Sequence, residues 1–227
     1  RRQRQMCIRD RSFIMAIATF LVYLFLPNKP ISLNTDVVRE KVVFDRNLKI
    51  LISIGVIIFT AFALVQSITA YYVQDRFAVS LDETAQTTAL LLGTMAFMAI
   101  VSQLTFVQKY KGNPLNLIKF SLPLFILSCL SIIFSPNFLF LYFGMALMVL
   151  GMGLASPGYT SAASLNADKD NQGAAVGLAM IAPGIGFALG PFISGFLYSI
   201  SMNLPFIFIL PLFVILAILI KKLEQLI

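Results

Sequence analysis

Long apolar stretches separated by short polar ones dominate this chain, at about 12–26, 48–73, 85–107, 117–134, 138–163, 173–199 and 204–220. A helix rises 1.5 Å per residue, so roughly 20 apolar residues cross the hydrocarbon of a bilayer. Six of the stretches reach that length and the first does not. That first stretch follows an arginine-rich run, lacks a small-residue cleavage site and ends in Leu26-Pro27-Asn28. It therefore predicts the end of a helix whose beginning is missing, not a secretory signal. A chain that opens on Arg1 agrees with a fragment. Punctuation supports the boundaries. Ser80-Leu81-Asp82-Glu83 has capping-box spacing and predicts the start of the third helix. Ser135-Pro136-Asn137 predicts one tight turn, and Asn203 with Pro205 another. The longest and most charged connection, 27–47, is where a linker between two halves belongs.

Composition agrees with a membrane protein: 59% of residues are hydrophobic, above the roughly 45–50% of soluble domains. The mean hydropathy is +0.88. Acidic residues lie between or outside the apolar stretches, as the cost of a charge in hydrocarbon requires. The net charge of +7 then sits at membrane edges, and no nucleic-acid partner is expected. If the stretches alternate across the bilayer, one side holds Lys29, Arg39, Lys41, Arg46, Lys109, Lys111, Lys169, Lys221 and Lys222. Lys49 and Lys119 lie just inside adjoining spans and can snorkel to that side. The other side holds only Arg76, which assigns the lysine-rich side to the cytoplasm. The arginines of residues 1–11 break this pattern, and the segment is set aside as non-native or disordered. Histidine is absent and the cysteines are Cys7 and Cys129, so neither a disulfide framework nor a metal site is expected, and no cofactor.

A partial helix, a charged cytoplasmic linker and six spans resemble the second half of a twelve-helix major facilitator superfamily protein, a family of two related six-helix halves with the substrate site between them. The run Tyr71-Tyr72-Val73-Gln74-Asp75-Arg76-Phe77, followed by Leu81-Asp82-Glu83-Thr84-Ala85, looks like the connection after the seventh helix in bacterial drug:proton antiporters. Gly151-Met152-Gly153-Leu154-Ala155-Ser156-Pro157 looks like their tenth helix. Between 177 and 195 stand Gly177, Gly186, Gly190-Pro191 and Ser194-Gly195. This is similar to the antiporter motif G-x8-G-x3-G-P-x2-G-G, with Ser194 in place of one glycine. The family carries that motif in its fifth helix and often echoes it in the eleventh. The preceding helix lacks the arginine motif of a fourth helix, which favours the second half. The loop Gln108-Lys109-Tyr110-Lys111-Gly112 lacks the acid the family often places there, so its lysines mark orientation.

The resemblance implies an all-α membrane protein: 12–26 the end of the sixth helix, 27–47 the linker, and 48–227 a six-helix transport bundle. Its partners would be the lipid bilayer, a small-molecule substrate and a missing amino-terminal six-helix half. It also implies a multi-pass protein of the bacterial cytoplasmic membrane that exports drugs or other small amphipathic compounds in exchange for protons. Symport or uniport of sugars or metabolites is the alternative, and few polar side chains in the spans favour efflux. On the 48–73 helix Gly55, Phe59, Phe62, Gln66 and Thr69 recur at spacings of three and four and so share a face. In the family this helix borders the central cavity, so Phe59 and Phe62 would offer flat apolar surfaces, and Gln66 and Thr69 hydrogen-bonding groups. The same pattern equally suits packing, with Gln66 bonded to a neighbouring helix and the phenylalanines against lipid. Small residues such as Gly144, Gly151, Ala155 and Gly158, and Gly186, Gly190 and Ser194, let helices approach closely. Pro157, Pro183 and Pro191 remove backbone donors and can bend helices during a rocking cycle. An intramembrane enzyme would need carboxylates or a histidine inside its spans, and the sequence offers none, so no enzymatic activity is expected.

Overall fold

From residue 48 on, the apolar stretches satisfy their backbones internally as helices, since lipid offers no hydrogen-bond partners. A computed structural model describes residues 46–166 and 172–226. The elements are α1 Arg46–Phe77, α2 Leu81–Ser102 continued by a π-turn Gln103–Val107, α3 Pro114–Ile133, α4 Phe138–Leu165, α5 Gln172–Ala179, α6 Ile181–Ile200 and α7 Leu204–Glu224. No strand occurs among the described residues. α5 and α6 form one span, Gln172–Ile200, interrupted at Met180, so among the described residues six spans are long and apolar enough to cross a membrane. All belong to the unit Lys41–Ile227. The expectations for 1–11, for 12–26 and for the linker up to 45 lie outside the described residues.

Local sequence explains the helix ends. Ser80 caps α2 in the expected box: its hydroxyl accepts from the Glu83 amide, and the Glu83 carboxylate accepts from the Ser80 amide at 3.1 Å. The side chains of Asn113 and Asn137 cap α3 and α4. One boundary differs from the sequence reading. Gln74, Asp75 and Arg76, expected in an outer loop, form the last turn of α1, and the connection to α2 shrinks to Ala78–Ser80. They stay helical because neighbours hold them: Arg76 donates to the Ser135 carbonyl at 3.0 Å, and Asp75 accepts from the Tyr198 hydroxyl at 2.6 Å.

Those ties also sort the helix ends. Arg76, Ser135, Tyr72 and Asn203 meet at one end, through the Arg76 bond and a 3.3 Å bond from Tyr72 to Asn203. At the other end Lys119 of α3 pairs with Glu224 of α7. This is the alternation expected from the charge pattern. The core lies where α1 meets α4, α6 and α7 and where α3 packs on α4 and α7, and includes Ile54, Ile58, Leu64, Tyr72, Phe125, Met148, Tyr159, Phe206 and Phe213. The most extensive pairings are α3 with α4 and α1 with α6. In the first, Gly144, Gly151 and Gly158 lie seven apart on α4. A methyl group at Gly151 would sit 2.8 Å from the Phe125 ring, and one at Gly158 would sit 2.9 Å from the Pro114 carbonyl.

Candidate functional site

α1 and α6 run side by side in a fixed register. Ser67 and Ser194, 127 positions apart, share a hydrogen bond of 2.7 Å between their hydroxyls. The same offset pairs Gly55 with Ala182, Phe59 with Gly186, Ala63 with Gly190 and Tyr71 with Tyr198. The rungs are four residues apart on both helices, so the two i±4 rows face each other along their length, and small residues permit the approach. A methyl group at Gly186 would lie 2.5 Å from the Phe59 Cβ and 2.7 Å from the Thr60 backbone nitrogen. At Gly190 it would lie 2.5 Å from the Ala63 Cβ. The motif therefore divides. Gly186, Gly190 and Ser194 make the seam, whereas a methyl at Gly177 or Gly195 would meet nothing within 4 Å. Pro191 sits within α6 and Pro157 within α4.

The four candidate side chains of α1 divide as well. Phe59 is buried, edge-on to Tyr159 with ring centroids 5.9 Å apart, and 6.1 Å from Phe187. Thr69 is buried and returns its hydroxyl to the Val65 carbonyl at 2.9 Å. Phe62 is half-buried, T-shaped to Phe187 at 6.4 Å, and Gln66 is exposed. Phe62, Gln66 and the exposed Phe187 are thus the groups that can reach a ligand, with Phe59 beneath them. Sequence reasoning missed Phe187. Its position beside Gly186, which sets it against α1, was the available signal.

The seam ends at a break built from three helices. Pro183 has no amide hydrogen, so the carbonyl four residues earlier, on Ala179, lacks its helical donor. The buried Tyr159 hydroxyl supplies one from α4 at 2.7 Å. Gly55 makes this possible, because a methyl there would lie 2.5 Å from the Tyr159 ring carbon that carries the hydroxyl. A tyrosine repeats the arrangement at the other end of α1. Pro136 leaves the Ile132 carbonyl without an i+4 donor, and that carbonyl accepts from the Ser135 amide at 3.2 Å and from the Tyr72 hydroxyl at 2.8 Å. The Ser102 hydroxyl, buried against Gly153, has no hydrogen-bond partner. No metal-holding group of His, Cys, Asp or Glu occurs among the described residues.

A family model described as the Major Facilitator Superfamily matches residues 12–182 and 114–224. Residues 114–182 satisfy it in two registers, as a fold built from internal repeats allows. No curated protein matches the chain.

Proposed function

Because this chain belongs to the major facilitator superfamily, and so is a multi-pass membrane transporter, we propose that it serves proton-driven efflux of small amphipathic compounds as the carboxy-terminal half of a bacterial drug:proton antiporter. The observation that carries this reading is the open aromatic and amide cluster of Phe62, Gln66 and Phe187, set along the α1–α6 seam. Flat apolar faces bind the body of an amphipathic molecule and one neutral amide orients its polar end. Phe59 backs the aromatic pair, and Thr69 is spent on its own helix. The glycine seam lets α1 and α6 move as one, while Pro183 marks where the α5–α6 span can bend.

The test is Gln66→Ala in the complete carrier, with efflux measured for a panel of lipophilic cations and neutral amphiphiles. We expect the order of preference among substrates to change, with overall activity kept. An unaltered profile would remove Gln66 from the substrate site. Flux of sugars in place of amphiphiles would favour symport or uniport.

A further inference from the structure

We infer that a groove between the π-turn after α2, α3 and α4 holds one acyl chain of an anionic phospholipid from the lysine-rich side of the membrane, with Lys109 and Lys111 at its headgroup. α2 packs through Thr84, Leu91, Met95 and Ser102, a row spaced seven, four and seven. The row stops at Ser102, and none of the π-turn residues Gln103–Val107 is buried. The Gln108 amide bonds the Gln103 carbonyl at 3.1 Å, a five-residue step that widens the helix and takes the seam out of register. The gap so left is a groove of about 380 Å³. Phe106 and Tyr110 form its mouth, Leu117, Phe120 and Leu124 one wall, and Leu150 and Leu154 the other.

Depth and charge identify the occupant. Along α3 the wall runs from Leu117 to Leu124, a rise of about 10 Å within the roughly 30 Å hydrocarbon core, so the groove lies within one leaflet. Its walls are aliphatic and aromatic, and Phe106 and Phe120 are more than half exposed. Polar groups gather only at the mouth. There the Tyr110 hydroxyl bonds the Asn113 carbonyl at 3.2 Å, and Lys109 and Lys111 stand exposed on either side of it. Lys119, the next cation along α3, is paired with Glu224. Lys109 and Lys111 make no ion pair with a carboxylate among the described residues. Two ammonium groups above an acyl-sized slot match a negatively charged headgroup above its tail.

The chain contains no tryptophan, so an introduced one reports alone. Phe120→Trp, in the full chain reconstituted into phosphatidylcholine vesicles, is titrated with brominated phosphatidylglycerol or brominated phosphatidylcholine, and tryptophan quenching is read. We expect the anionic lipid to quench at a lower mole fraction, by about fivefold for each lysine engaged. Adding Lys109→Gln and Lys111→Gln should abolish the difference. Phe143→Trp, on the same face of α4 in the other leaflet, should show no preference. Equal quenching by the two lipids at Phe120→Trp overturns the site. So does a preference that survives both glutamine substitutions, or an equal preference at Phe143→Trp.

Discussion

At the scale of the residue, glycines of one motif differ in what surrounds them. Gly186 and Gly190 touch α1 closely enough that any side chain must displace backbone, whereas Gly177 and Gly195 face open space. Gly190→Leu should therefore separate α1 from α6 and abolish transport while the chain still inserts into the membrane. Gly177→Ala should keep transport and stabilise α5, by up to about 1 kcal/mol from helix propensity. Transport assays on both variants, with membrane fractionation, check the pair. Normal flux through the Gly190→Leu carrier would make the spacing incidental.

At the scale of the element, the α5–α6 span is interrupted at Met180, three residues before Pro183, and a hydroxyl from α4 bonds the carbonyl of Ala179 there. Tyr159→Phe removes the donor and leaves the buried Ala179 carbonyl without a partner, a loss of about 1–3 kcal/mol. Pro183→Ala returns an amide to that carbonyl, so in its background Tyr159→Phe should cost much less. The two effects should couple in a double-mutant cycle read by thermal unfolding in detergent. Additive losses would show that the hydroxyl does not compensate for the proline.

At the scale of the whole molecule, sidedness and energy coupling can be checked. Cys129 is buried and should stay silent. With Cys7→Ser as background, cysteines at Asn113 and Lys169 should label only from the cytoplasmic side, and one at Ser80 only from outside. Labelling of Ser80 and Lys169 from the same side would reverse the assignment. Coupling needs a group that gains and loses a proton in a water-filled cavity. Among the described residues, the carboxylates Asp75, Asp82, Glu83 and Glu224 all lie in the first or last turns of their helices. We therefore expect this chain alone to drive no substrate flux in vesicles under an imposed pH gradient, and the complete carrier to do so. Gradient-driven, substrate-specific flux through the chain alone would defeat the half-carrier reading.

The six full-length spans, the turns at Ser135–Asn137 and Asn203 and the Ser80 capping box were legible in the sequence, because hydrocarbon imposes length and apolarity on each helix whatever its neighbours are. The seven-residue glycine row of α4 was legible too, as a place where helices touch. What the sequence could not decide is which face touches which. A phenylalanine against lipid and one against another helix satisfy the same apolar rule, so Phe62 and Phe187 could not be told from Phe59 by pattern. Nor does the spacing of Gly177, Gly186, Gly190 and Gly195 reveal that only the middle two are crowded. That follows from the register in which α1 and α6, 127 positions apart, come together. The bond from Tyr159 to Ala179 and the groove left by the π-turn are likewise products of tertiary contact. Each depends on where a backbone departs from regular helix and on which neighbour stands there to meet it.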